Sequence, residues 1–121
     1  MKIYCCHSKK IDYQNLFYKP IEESLLAQEH EFIFPHKTEE TVKSKEIIQK
    51  SDAVIAEVSE CATGMGIELG WADMFQRPIH CFYKENSQPS GSLQYICSSM
   101  NSYRDTQDFI EKIASALKNS P

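Results

Sequence analysis

The run from Ser51 to Ala72, SDAVIAEVSECATGMGIELGWA, constrains the fold more than any other stretch of the chain. Ala53-Val54-Ile55-Ala56 is a short apolar segment, β-branched at its centre and bounded by Asp52 and the polar Ser59-Glu60. It is too short to stand as a helix and has no polar alternation, so it reads as a strand buried on both faces. Thr63, Gly64 and Gly66 follow as a loop, where glycine permits unusual backbone angles and close approach of another molecule. Ile67, Leu69, Gly70, Trp71, Ala72 and Met74 then begin a helix, with Glu68 in its first turn, where the macrodipole favours an acid. In a parallel α/β sheet, the gap between strand end and helix start is where ligands bind.

The remaining segments fit around that unit. Lys2 to Cys6, Phe32 to Phe34 and Pro78 to Tyr83 read as further strands, and Asn101 to Arg104 supplies a short fifth. Between them, Leu16, Phe17, Ile21, Leu25 and Leu26 recur at helical spacing within Asp12 to His30, with Pro20 in the first turn or at a kink. Thr38 to Lys50 reads as a mostly solvated helix with Val42, Ile47 and Ile48 inward, and Leu93 to Met100 holds a short helix. Asp105 or Thr106 caps a last helix whose apolar face is Phe109, Ile110, Ile113, Ala114 and Leu117. Alternating strands and helices imply a parallel sheet with right-handed crossovers. The expected fold is α/β: a flavodoxin-like or Rossmann-like three-layer sandwich, five parallel strands in the order 2-1-3-4-5, helices on both faces. The 121 residues allow one domain with a sizeable core.

Thirteen Lys and Arg against seventeen Asp and Glu give a net charge of −4, with no basic patch. That argues against a nucleic acid polymer or an anionic membrane as the main partner. No apolar run reaches spanning length and MKIYCCHSKK lacks a signal-peptide core, so the expected location is the cytoplasm. The five cysteines, Cys5, Cys6, Cys61, Cys81 and Cys97, have no metal-site spacing. In the cytosol they read as reduced and mostly buried thiols, Cys61 in the glycine loop being the one to watch. No cofactor and no metal is implied.

The strand order brings three loops to one sheet edge: His7 to Lys10, His36 to Lys37, and Glu60 to Glu68. His7 and His36 are placed to bind phosphate or carboxylate, or equally to be solvated or cap a helix. Trp71 either stacks on a base or packs in the core. Glu57, a carboxylate inside a strand, needs partners and could orient the site. Cys6 beside His7 makes a poor nucleophile–base pair, because neighbouring strand residues point to opposite faces. Asp52 reads as ending a helix, and His80, between Ile79 and Cys81, as structural.

Ala53 to Tyr83, AVIAEVSECATGMGIELGWADMFQRPIHCFY, resembles the signature of the nucleoside 2-deoxyribosyltransferase superfamily, most specifically in G-x-G-x-E-L-G-x-A from Gly64 to Ala72. The closer likeness is to its 2-deoxynucleoside 5-phosphate N-hydrolase branch, whose first strand and loop the opening IYCCHS also fits. The resemblance implies a nucleoside or nucleotide substrate whose N-glycosidic bond is cleaved, with Glu68 as nucleophile. A carboxylate can trap an oxocarbenium-like sugar as a covalent ester, which water or a second base then releases. By the same resemblance Tyr4 lies near that carboxylate, Ser8 holds phosphate or sugar, and the glycine stretch with Cys61, Ala62, Gly64 and Gly66 forms the sugar wall. It further implies a homodimer or larger assembly whose partner subunit helps to close the site, with Trp71, Met74, Phe75 and the Ser90 to Met100 segment as candidate contacts.

Two positions depart from the family pattern. Ala62 stands where the hydrolases have a phosphate-contacting serine and the transferases an aspartate. Ser44 stands where the hydrolases have an aspartate that protonates the leaving base, leaving Glu46 and His36 as conceivable substitutes. Two other readings follow: a non-catalytic nucleotide-binding module, and an NAD glycohydrolase of the TIR type, which shares the topology and a helical glutamate.

Overall fold

The computed structural model describes residues 1–38 and 43–119. Five strands form one parallel sheet: β1 Lys2–His7, β2 Glu31–Ile33, β3 Ala53–Glu57, β4 Ile79–Lys84 and β5 Ser99–Tyr103. Their order is β2-β1-β3-β4-β5, as the alternation of elements implies. β3 runs one residue beyond the apolar tetrad, and all five of its residues are buried. Its register sets Tyr4 beside Val54 and His7 beside Glu57, so the carboxyl ends of β1 and β3 finish together.

The two sheet faces have separate cores because successive strand residues point opposite ways. Ile3, Cys5, Ile55 and Phe82 face helices α1 Lys19–Glu22, α2 Leu26–Glu29 and α5 Thr106–Lys118, through Ile21, Leu26, Phe109 and Ile113. Tyr4, Cys6, Val54, Ala56 and Cys81 face α3 Ser44–Lys50 and α4 Thr63–Met74, through Ile48, Met65, Leu69 and Ala72. Asp105 caps α5, its carboxylate accepting the Asp108 N–H at 2.8 Å. No helix among the described residues is long and apolar enough to cross a membrane.

Several expectations need correction. The helix read over Asp12 to His30 is broken into a π-turn, Gln14–Tyr18, followed by α1 and α2. Ser24 makes the break: its hydroxyl donates to the Ile21 carbonyl at 2.7 Å and accepts the Leu26 N–H at 3.2 Å, serving backbone groups that a continuous helix would have paired. Pro20 sits in the first turn of α1, directly behind the π-turn, whose helical backbone continues into α1. The helix expected from Thr38 starts at Ser44, and Val42 lies outside the described residues. The segment after Pro89 forms a 3-10 turn at Gly91–Tyr95, and β5 begins at Ser99.

The glycine loop is not a loop. α4 starts at Thr63, Ala62 is its extended N-cap, and the Gly66 N–H already bonds the Ala62 carbonyl at 3.0 Å. No glycine has a positive φ, so Gly64 and Gly66 need no unusual backbone angle, and a side chain on either would meet no protein atom within 4 Å. Glu68 consequently sits in the second turn of α4 rather than the first. The thiols also differ from expectation: Cys81 and Cys97 are joined as a disulfide, while Cys5, Cys6 and Cys61 are free.

Candidate active site

Beyond the ends of β1, β2 and β3 lies a cavity of about 790 Å³, lined by residues of the three loops together with α3 and α4. At its floor the two turns of α4 bring Glu68 over β1. There the Tyr4 hydroxyl donates to Glu68 Oε2 at 2.5 Å, and Ser44 Oγ lies 3.1 Å from the same phenol oxygen. A phenol has one proton, so with that proton on Glu68 the Ser44 hydroxyl donates to Tyr4. The Tyr4 pKa is pushed far up by burial first, and then by the Glu68 charge and hydrogen bond, so Tyr4 is a phenol and not a phenolate. Cys6 Sγ lies 3.5 Å from the other carboxylate oxygen, Oε1, and 3.8 Å from the Met65 carbonyl.

His7 stands on the opposite side of β1 from Cys6, as strand alternation requires. It is buried between Tyr13, stacked at 4.4 Å, and Tyr18. Its Nδ1 faces the Ser8 carbonyl at 3.0 Å, an acceptor only, so Nδ1 carries the proton. Nε2 then accepts from the Tyr18 hydroxyl at 2.5 Å, and that hydroxyl in turn accepts the His36 N–H at 3.1 Å. Burial, with smaller repulsion from His36 and Lys9, pulls the His7 pKa down to about 4. His7 is therefore a neutral wall of the cavity with both nitrogens occupied. The His36 pKa is also lowered, by burial first and by Lys9 second. Its ring nitrogens have no hydrogen-bond partner among the described residues.

Ser8 is buried at the cavity wall, its hydroxyl oxygen accepting the Lys10 N–H at 3.0 Å. Trp71 is half-buried, packing on the α3–α4 core with one side on the cavity, and Lys45 Nζ stands 6.0 Å from its ring. Tyr4, Ser44, Glu68, Ala62, Gly64, His7, Ser8, His36 and Trp71 are thus brought together. Cys61 and Gly66 are not. They line a neighbouring groove of about 610 Å³, between α4 and the Gly91–Tyr95 turn, and Cys61 is exposed there. On a helix, Gly64 and Gly66 point in different directions, which a loop reading does not distinguish.

Sequence reasoning missed four lysines. Lys9, Lys10, Lys43 and Lys45 line the cavity, and none forms an ion pair among the described residues. They are scattered between two loops and a helix start, so only folding makes them a cluster. Glu57, by contrast, is fully committed: it accepts from the Ser59 N–H at 2.6 Å, the Ser59 hydroxyl at 3.0 Å and the Tyr103 hydroxyl. It ties β3 to β5 beneath the loops. His80 is buried with Nδ1 2.8 Å from the Ser99 hydroxyl, a structural contact. Asp52 accepts the Lys2 N–H at 2.7 Å and so fixes the start of β1. No group of His, Cys, Asp and Glu among the described residues could hold a metal ion.

No protein-family model matches the chain, and no curated protein matches it. Solved structures do. The Clostridium botulinum CMP N-glycosidase BcmB is similar with a TM-score of 0.68 over 94% of this chain and 99% of its own, at 16% identity. A 2-deoxyribosyltransferase from Bacillus psychrosaccharolyticus has a TM-score of 0.67 over 90% of each chain, at 17% identity. A conserved protein from Enterococcus faecalis V583 has a TM-score of 0.64 over 97% of this chain and 99% of its own, at 15% identity. At such identities the likeness is one of fold: this is a flavodoxin-like α/β protein, built over nearly its whole length like these three.

Proposed function

We propose that the chain is a single-domain enzyme of the nucleoside 2-deoxyribosyltransferase superfamily, cleaving the N-glycosidic bond of a nucleotide with Glu68 as nucleophile. The observation that carries this is the Tyr4 hydroxyl on Glu68 Oε2 at 2.5 Å, at the floor of the cavity. A tyrosine held as a phenol orients the carboxylate and stabilises it when it leaves. In the first half-reaction the bond between the anomeric carbon and the base nitrogen breaks, its electron pair leaving with the base, as Glu68 forms a glycosyl ester. The base takes up a proton, for which His36 and Glu46, both on the cavity wall, are the available groups. Water or an incoming base then attacks the same carbon, loses a proton, and frees the carboxylate. Ser44 is used otherwise, as the hydrogen-bond partner of Tyr4. The likeness in fold to a CMP N-glycosidase and a 2-deoxyribosyltransferase supports this class of chemistry.

The four lysines, which form no ion pair among the described residues, favour a phosphorylated substrate, as in the nucleotide-hydrolysing branch of the family. Among the described lining residues, four positive charges beside Glu46 and Glu68 leave a net positive charge in a chain of net charge −4, and a phosphate offsets that excess. Incubation with a panel of nucleosides, their 5-phosphates and NAD, followed by detection of free base, tests the reading. The expected result is base release from nucleotides with kcat/KM about 10²-fold or more above the parent nucleosides, an advantage that shrinks with added salt. Intact nucleotide bound without base release would instead make the chain a binding module.

The proposal includes a homodimer. Ile67, on the cavity wall, and Met74, further along α4, are 50% and 61% exposed, and Tyr95 is 82% exposed. A two-fold interface would cover them. Light scattering at micromolar concentration is expected to give twice the 13.9 kDa chain mass. A monomer of full activity would exclude a site completed by a partner.

A further inference from the structure

The carboxylate of Glu68 is held at both oxygens, and the two donors are of unlike strength. On Oε2 is the Tyr4 phenol at 2.5 Å, on Oε1 the Cys6 thiol at 3.5 Å. Tyr4 and Cys6 are two apart on β1, so both point at α4, and both are fully buried. The thiol has one proton and two acceptors in reach, Glu68 Oε1 at 3.5 Å and the Met65 carbonyl at 3.8 Å. The nearer acceptor carries the charge, and charge-assisted hydrogen bonds are the stronger. A hydrogen bond to a nucleophilic oxygen weakens as that oxygen forms a new bond, because one lone pair is used and the charge that strengthened the bond is lost. An O–H donor at 2.5 Å is costly to give up, and a thiol is a weak donor that releases its acceptor readily.

We infer that Cys6 is a positioning residue for Glu68: its weak thiol bond aims Oε1 into the cavity as the attacking oxygen, while Tyr4 retains Oε2. This rests on the nucleophile reading above. As Oε1 bonds to the anomeric carbon and the base departs with the C–N electron pair, the thiol proton turns to the Met65 carbonyl and Oε2 becomes the ester carbonyl, still bonded to Tyr4. When water displaces the ester, Oε1 regains its negative charge and the thiol returns. Burial holds the Cys6 pKa well above the ordinary thiol value, with the Glu68 charge adding to it, so the proton stays on sulfur throughout.

Two measurements test the inference. In the first, the S–H stretching band of Cys6 is isolated by infrared difference against Cys6→Ala. It is expected to lie at lower frequency than a free thiol and to move up in Glu68→Ala, where only the neutral Met65 carbonyl remains. A band that does not move assigns the thiol to Met65 and overturns the inference. This arm needs no turnover, so it decides the point even where the panel of nucleotides yields no free base, a result that would instead remove the nucleophile reading. In the second, Cys6→Ala is expected to lower kcat about tenfold with KM unchanged, and Cys6→Ser, which restores a donor on Oε1 but a stronger one that is costlier to give up, to recover only part of the loss. Equal losses in both variants, or a fall in nucleotide affinity matching the fall in rate, would show a packing role and overturn it.

Discussion

Glu68→Gln is expected to lower base release by about 10³-fold or more while nucleotide binding survives. The substitution keeps the size and the acceptor oxygen of the side chain but removes the charge that attacks the anomeric carbon. Glu68 is only half-buried, and its partners Tyr4 and Cys6 are both donors that a glutamine oxygen can still satisfy once, so the fold should stand. The lysines, which hold the phosphate in this reading, are not touched. Single-turnover base release and nucleotide affinity, measured on the same preparation, check the two halves of the statement. A folded Glu68→Gln protein that releases base at near the parent rate would end the covalent mechanism, because no other carboxylate approaches Tyr4 in the described residues.

Acid should destabilise the protein through His7. In the unfolded chain this imidazole titrates at its ordinary value of 6.5, and in the folded protein at about 4. Between those limits the unfolded state binds a proton that the native state refuses. Stability is therefore full above about pH 6.5, is lost as pH falls toward 4, and levels off below. At 1.36 kcal/mol per unit the span amounts to about 3 kcal/mol. The cause is burial, reinforced by tautomer: Nε2 accepts from Tyr18, whose oxygen already receives the His36 N–H, so a proton on Nε2 would face a donor. His36 and His80, also lowered by burial, add to the loss as pH falls below the ordinary imidazole value. Urea unfolding at pH 7.0, 5.5 and 4.5 is expected to show a falling midpoint, with a flatter response in His7→Gln, which is less stable at pH 7. An identical slope in the variant would place the acid sensitivity elsewhere.

The same residue shows where sequence reading stops. His7 could be placed at a strand end, but whether it offers a charge to a ligand depends on Tyr13 and Tyr18, which come from a helix read only as a hydrophobic stripe. Its nitrogens are both taken, so positive charge in the cavity falls to the lysines. Cys6 is the converse case. Its alternation with Tyr4 in KIYCC implies a shared face and rules out His7 as its partner, but the contact with Glu68 forms only when α4 folds over β1.

The glycines show how local rules can mislead. Gly64 and Gly66 next to Thr63 carry every mark of a loop, and a helix takes them because Ala62 closes its first turn onto Gly66 and because Met65, Leu69 and Ala72 gain burial against β1 and β3. Tertiary packing outweighs a helix propensity deficit of roughly 1 kcal/mol per glycine. That choice moves Glu68 one turn along and separates Gly66 from the cavity.

By itself, the sequence determined the sheet. Four apolar segments and a short polar fifth, alternating with amphipathic ones and with the central segment buried on both sides, admit few arrangements under the crossover and strand-order rules, and β2-β1-β3-β4-β5 is what forms. The strand order also brought the stretch ending at Glu68 to one edge of that sheet, and the family resemblance put Tyr4 near it. Only the tertiary structure decided which atoms meet there: a phenol and a thiol on the two oxygens of Glu68, a histidine sealed as a neutral base, and four lysines around one cavity. The physical reason is range. Strand and helix are set by periodicities within a few residues, whereas these contacts join positions as far apart as Tyr4 and Glu68, whose distance is fixed only when the core on both faces of the sheet has closed.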